Sequence, residues 1–227
     1  MRGWLKVLAV AVGVLAAAAL AACGFLAWRV IDARARTPAI IARIVAEADP
    51  DIRILSAERV RQYLAVEDPT FWTNDGIDLK TPGAGLTTTT QGLGKLIYFR
   101  PFAKGNWNKL QLIVMSKYAL TPRASKRDIF IAALAMAPLG EVKGHRVVGL
   151  ADAAHSYFGR PLRDLSDDQF LSLVAMQLGP EDYSPAINPA ASAERVSRIK
   201  RLLSGACRPT GLNDVTLDGC AQPAGRR

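Results

Sequence analysis

The chain has 227 residues, half of them hydrophobic, and 29 Lys and Arg stand against 20 Asp and Glu for a formal charge of +9. Once an apolar N-terminal segment is set aside, the remainder has the length of one domain, enough to bury a substantial core and too short for a second. The charge is spread over Arg-rich segments, which points to anionic lipid headgroups or pyrophosphate. Nucleic acid is disfavoured, because neither a stacking aromatic motif nor a zinc pattern accompanies the charge.

Residues 7–28 carry no charge. As a helix rising about 1.5 Å per residue they cover roughly 33 Å, enough to cross the hydrocarbon core. Trp4 and Trp28 bracket the segment as interfacial anchors do. Basic residues lie on both sides (Arg2 and Lys6, then Arg29, Arg34 and Arg36), so charge bias does not orient it. Leu20-Ala21-Ala22-Cys23 offers the alternative of a cleaved lipoprotein leader with Cys23 as the lipidated residue. Residues 24–28 stay apolar, which favours an uncleaved span. The expected organisation is an anchor over residues 1–36, a domain over 37–205 and a flexible tail over 206–227.

Past the anchor the periodicity is helical, and an all-α or mostly α fold is expected. Ser56 opens a short helix carrying Val60, Tyr63 and Leu64 that delivers the chain to Glu67. Residues 109–120 read as a buried helix. Ser125 and Asp128 have capping-box spacing ahead of an apolar helix to Met136, and Ser166 caps another that ends near Gly179. Residues 147–158 and 190–203 supply two more. No strand ladder of useful length and no internal repeat is present. Cys207 and Cys220 either pair in an oxidising compartment or remain free thiols, and residues 208–227 lack apolar periodicity, which predicts mobility.

Two clusters carry chemistry. Glu67-Asp68-Pro69-Thr70-Phe71-Trp72-Thr73-Asn74-Asp75-Gly76-Ile77-Asp78 holds an acidic pair, and Gly85-Leu86-Thr87-Thr88-Thr89-Thr90-Gln91-Gly92-Leu93-Gly94-Lys95 a hydroxyl-rich run. In order with Ser125-Lys126-Arg127-Asp128-Ile129, Ala154-His155-Ser156-Tyr157-Phe158-Gly159-Arg160 and Tyr183-Ser184-Pro185, they resemble the motifs of the peptidoglycan glycosyltransferases, the biosynthetic transglycosylases, over residues 54–203.

The resemblance implies a lysozyme-like fold and attack of an acceptor sugar hydroxyl on the anomeric carbon of a lipid-linked donor, with undecaprenyl pyrophosphate leaving. Glu67 takes the position of the general base and Asp68 orients it. Phe71, Thr87, Thr88, Thr90, Gln91, Lys95 and Lys109 are the implied substrate-binding residues, the lysines and polar groups facing the pyrophosphate. A divalent cation, Mg or Mn, is implied there, although no His/Cys cluster supports a dedicated metal site. The implied partners are the undecaprenyl-pyrophosphate-linked precursor, the membrane and other cell-wall synthesis proteins, with the domain facing the periplasm from the inner membrane.

The departures are specific. The family's first motif has a histidine where Asn74 stands. Its third carries a second glutamate, yet no Asp or Glu occurs between Gly105 and Ser125. Residues 129–135 lose the polar groups of the fourth motif, and only six residues separate Asp78 from Gly85, where the family usually has a helix and a flap. Three readings are open: an active glycan polymerase, a catalytically degenerate member that binds the precursor or other wall-synthesis proteins, and a hydrolase pairing Glu67 with Asp75 or Asp78. Two acids elsewhere, Glu141 and Asp152, are candidates to replace the missing glutamate. His145 and His155 read as structural.

Overall fold

The computed structural model describes residues 2–99 and 101–221. It begins with one 46-residue helix, α1 (Arg2–Glu47), whose N-terminal half is exposed and apolar and is long enough to cross a membrane. The helix does not stop at residue 36. It runs on into the domain, where Ala33, Thr37 and Ile41 are buried. Pro38 lies inside it and has no N–H for the carbonyl of Arg34 four residues back. Arg123 Nε supplies the missing donor at 3.2 Å, and Arg34 Nη1 in turn donates to the carbonyl of Tyr118 at 2.7 Å. The span and the domain are thereby locked into one body at the membrane-proximal end.

Helices α2 (Pro50–Arg53), α3 (Ala57–Glu67), α4 (Thr89–Tyr98), α5 (Asn106–Met115), α6 (Lys126–Met136), α7 (Leu150–Phe158), α8 (Asp167–Ala175) and α9 (Pro189–Leu203) complete the helical set. Three of the expected caps are formed, the side chains of Ser56, Ser125 and Ser166 accepting from the N–H groups of Arg59, Asp128 and Gln169. The core centres on α6, whose residues 129–134 are all buried; the loss of polar groups there makes α6 a packing helix. Phe130 packs there edge-to-face on Tyr63 and tilted against Phe71, with ring centroids 5.6 and 5.9 Å apart.

Four expectations are corrected. The helix over 109–120 is α5 followed by a π-helical turn (Ser116–Leu120), with the Thr121 N–H reaching back to the Ser116 carbonyl. The helix expected from 147 starts at Leu150, because 138–148 form a hairpin, β1 (Pro138–Val142) with β2 (His145–Val148). Its two-residue turn, Lys143-Gly144, has both residues at positive φ. Helix α8 ends at Ala175, short of Gly179, whose φ is not positive. The tail was expected to be mobile; instead Cys207 and Cys220 are bonded, and Leu217 and Cys220 are buried in the main core. Residues 222–227 of that tail lie outside the described residues.

Candidate active site

The site is assembled where α3 ends and α4 begins. Glu67 is the last residue of α3, and Asp68 caps it with its N–H bonded to the Leu64 carbonyl at 3.0 Å. Asp68 is 1% exposed. Its carboxylate accepts from Asn74 Nδ2 at 2.8 Å and from the Thr89 N–H at 2.9 Å, the opening N–H of α4. An anion at a helix N-terminus is favourable, so one carboxylate ties the end of α3 to the start of α4. Burial raises the Asp68 pKa, offset in part by the Thr89 N–H, Lys126 and Asn74. Asn74 also accepts from Lys126 Nζ at 3.1 Å and the Gly76 N–H at 3.0 Å, which gives the residue in the histidine position a bracing role.

Thr88 caps α4, its hydroxyl accepting from the Gln91 N–H and donating to the Gly76 carbonyl at 2.9 Å. Gln91 Nε2 donates to the same carbonyl at 3.1 Å. Gly76 has a φ of +93°, and a Cβ there would fall 2.8 Å from Thr121 Oγ1 and 3.2 Å from the Ser116 carbonyl, so no side chain fits. The Lys109 ammonium donates to the carbonyl of Leu86 (2.6 Å), Thr87 Oγ1 (3.1 Å) and Gln91 Oε1 (2.8 Å). All three of its protons are thus placed on neutral acceptors. Burial, and then Lys95, pull its pKa down to about 8.

A cleft of about 420 Å³ opens beside this frame. Of the residues expected to bind or react, Glu67, Thr87, Thr88 and Lys95 line it. Asp68, Thr90, Gln91 and Lys109 sit behind its wall. Phe71 is fully buried in the core, with Lys126 Nζ 4.7 Å above its ring, and does not reach the cleft. The Lys95 ammonium lies 5.6 Å from the Phe102 ring centroid, and burial lowers its pKa.

Glu67 is the carboxylate that lines the cleft. Among the described residues its carboxyl has no hydrogen bond or salt bridge. Burial pushes its pKa from the ordinary 4.5 to about 7, Arg195 pulling it down and Asp68 pushing it up. Two residues that the motifs did not reveal face the same space. Arg195 of α9 is 3% exposed and donates through Nη2 to the Val215 carbonyl at 2.6 Å; its Nε and Nη1 have no hydrogen-bond partner among the described residues. Gln177 Nε2 is likewise buried and without a hydrogen-bond partner among the described residues, as is Thr89 Oγ1. The signal for Arg195 was present in the sequence: it falls on the buried α9 face of Ser192, Val196 and Ile199, where a charge is costly unless a partner comes to it.

Neither candidate replacement for the second glutamate comes near. Glu141 lies on the hairpin, and Asp152 is bound by His145 Nε2 and the Val148 N–H. Asp75 is paired with Lys117 at 2.8 Å. Asp78 accepts from Thr70 Oγ1 and from the N–H groups of Lys80 and Thr81; these bonds outweigh its burial and hold its pKa below the usual carboxylate range. The described residues build no dedicated cage for a divalent cation, so one at this site would be held by Glu67 together with the ligand's own phosphates. Glu67 is the single carboxylate among the described residues lining the cleft, and no group of three metal-ligating side chains occurs among them.

A helical domain whose cleft is lined by one carboxyl, a lysine, an arginine and hydroxyls presents a surface suited to a polar, oxygen-rich ligand. The sequence model of the transglycosylase family matches residues 46–204, and the chain belongs to that family, with its lysozyme-like helical domain. It is 32% identical to penicillin-binding protein 1B of Escherichia coli (strain K12) over 157 residues, 63% of this chain and 18% of that protein. Penicillin-binding protein 1F of Bacillus subtilis (strain 168) is 27% identical over 177 residues, 71% of this chain and 24% of the relative. Penicillin-binding protein 1B of Vibrio cholerae is 31% identical over 157 residues, 63% and 20% respectively. The matched region thus spans about a fifth to a quarter of these relatives.

Proposed function

We propose that the chain is a peptidoglycan glycosyltransferase that extends a glycan from an undecaprenyl-pyrophosphate-linked disaccharide-peptide precursor, with Glu67 as the general base. The observation that carries the reading is the carboxyl of Glu67, unpaired, facing the cleft and held near pH 7, where a base is most effective. The acceptor's 4-hydroxyl forms a bond to the donor's anomeric carbon as its proton passes to Glu67. The bond from that carbon to the pyrophosphate oxygen breaks, and the lipid pyrophosphate leaves. Lys95 and the unpaired N–H groups of Arg195 and Gln177 supply donors for anionic and sugar oxygens. Lys109 acts from behind, holding Leu86, Thr87 and Gln91 in place.

The precursor arrives in the bilayer, and α1 keeps the cleft there. We place the domain outside the cytoplasm, on the periplasmic side of the inner membrane. The Cys207–Cys220 bond favours that side, since disulfides persist in oxidising compartments; lipid anchoring at Cys23 is the alternative tether. A second reading has a specific motive, the single carboxylate of the cleft: a member that binds precursor or other wall-synthesis proteins without polymerising. Labelled lipid-linked precursor incubated with the purified protein separates the two. Polymer from the unaltered chain and none from Glu67→Gln supports the transferase, whereas retained precursor without polymer selects the binding module.

A further inference from the structure

The segment after α9 is closed on itself by a covalent bond and joined to the cleft by hydrogen bonds. Cys207 and Cys220 close it into a loop. Inside, the Asp214 carboxylate collects the N–H groups of Thr210, Asp218 and Gly219 at 2.9, 2.6 and 3.0 Å. One edge then pairs with the strip that leads into the threonine run. The Gly83 N–H donates to the Gly211 carbonyl at 2.8 Å, and the Gly85 N–H to the Leu212 carbonyl at 2.9 Å. Both glycines have positive φ, and a Cβ on either would lie 2.7 Å from Pro209 Cγ or Val215 Cγ1. The two backbones fit without room for a side chain between them. Val215 itself lines the cleft, and its carbonyl holds Arg195.

We propose that the disulfide-closed loop of residues 207–220 is one wall of the substrate cleft, in which Val215 limits what enters and the Cys207–Cys220 bond keeps the strip of residues 83–87 and Arg195 in register. The connection from Asp78 to Gly85 is too short to build this side for itself, and the loop supplies it. Leu86 and Thr87 give two of the three acceptors of Lys109, so order in the loop passes to the frame around Glu67. The ligand, a lipid-linked sugar diphosphate, rests on the proposed function; the wall does not.

The full chain in detergent micelles is compared with the bond intact, reduced and reoxidised, beside a Cys207→Ser/Cys220→Ser variant and Val215→Trp. Amide hydrogen exchange at Gly83 and Gly85 is expected to rise at least tenfold on reduction while α6 stays protected, and to recover on reoxidation. The double serine variant should match the reduced protein and ignore reductant. With lipid-linked precursor, reduction raises KM several-fold with a smaller change in kcat. Val215→Trp weakens precursor binding several-fold with exchange at Gly83 and Gly85 unchanged. Exchange at those amides that ignores the disulfide overturns the proposal, as does Val215→Trp binding precursor like the parent. Should reduction loosen α6 as well, Val215→Trp, which keeps the bond, decides. Should the unaltered chain make no polymer, the transferase reading fails, and the exchange and binding measurements still judge the wall.

Discussion

Replacing Glu67 with glutamine should move stability and activity in opposite directions. The fold holds the carboxyl at about 7 against an ordinary 4.5, burial being the main cause. A gap of roughly 2.5 units at about 1.36 kcal/mol each places the cost of ionising this side chain in the folded state on the order of 3 kcal/mol. The sign follows from a folded pKa raised above the unfolded one. The favourable contribution of the protonated side chain is complete below about 4.5 and is lost as pH rises through 7. Glutamine never ionises, so Glu67→Gln should match the parent near pH 4 and exceed it at pH 8 by up to about 3 kcal/mol. At about 2–4 °C per kcal/mol for a domain of this size, thermal melts across that range resolve the divergence. The same variant should lose turnover by about 10²–10⁴, and the parent's kcat/KM should fall on the acid side with an inflection near 7. Parallel melting curves at pH 4 and pH 8 would refute the desolvated carboxyl, and with it the reason for assigning Glu67 the base.

Lys109→Met removes three donors from neutral acceptors and should destabilise by about 1–3 kcal/mol, read by denaturant unfolding; Lys109→Arg should recover little, because its acceptors converge on a single nitrogen. Asn74→Ala strips Asp68 of one partner and frees the Gly76 N–H, an expected loss of about 1–3 kcal/mol by the same assay. Gly76→Ala must strain a φ of +93° and meet a backbone carbonyl. Its cost of about 3 kcal/mol or more should show as a fall in soluble yield or Tm.

The parts of this fold that were legible in the sequence are those whose cause is local. Ser56, Ser125 and Ser166 cap helices because a side-chain oxygen answers an N–H three residues on, and that spacing can be read directly. The hairpin was missed because its strands have five and four residues and bury little beyond Leu139 and Val147, too short a run for alternation to register. The loop of residues 207–220 has no periodicity at all; a covalent bond and Asp214 close it on itself, and its bonds to the glycine strip act across the chain. In the site, the motifs brought Glu67, Thr87, Thr88 and Lys95 to one cleft. Phe71, Thr90, Gln91 and Lys109 stand outside its lining, since type and spacing do not say whether a ring faces core or ligand, or whether an ammonium is already engaged. The charge of Arg195 on the apolar face of α9 was legible, but that this face meets the cleft is decided only in the folded chain.

The lone carboxylate bears differently on the transferase and hydrolase readings, and the leaving group decides how. A hydrolase must protonate a glycosidic oxygen whose conjugate is a poor leaving alkoxide, so it needs an acid as well as a base or nucleophile. Asp75 is paired with Lys117 and Asp78 is turned onto its own backbone, so neither acid is free to take that part beside Glu67. A pyrophosphate departs as a stable anion. It requires positive charge and hydrogen-bond donors where its own charge grows, and a proton is not needed for it to leave. Lys95 and the Arg195 nitrogens Nε and Nη1, unpaired among the described residues, offer that kind of assistance on the transferase reading, and both residues line the cleft that Glu67 faces. On the transferase reading, losing an acid there removes one form of help to the departing group while leaving the deprotonation of the incoming hydroxyl to Glu67. The same substitution that cripples hydrolysis therefore leaves transfer from a diphosphate chemically coherent.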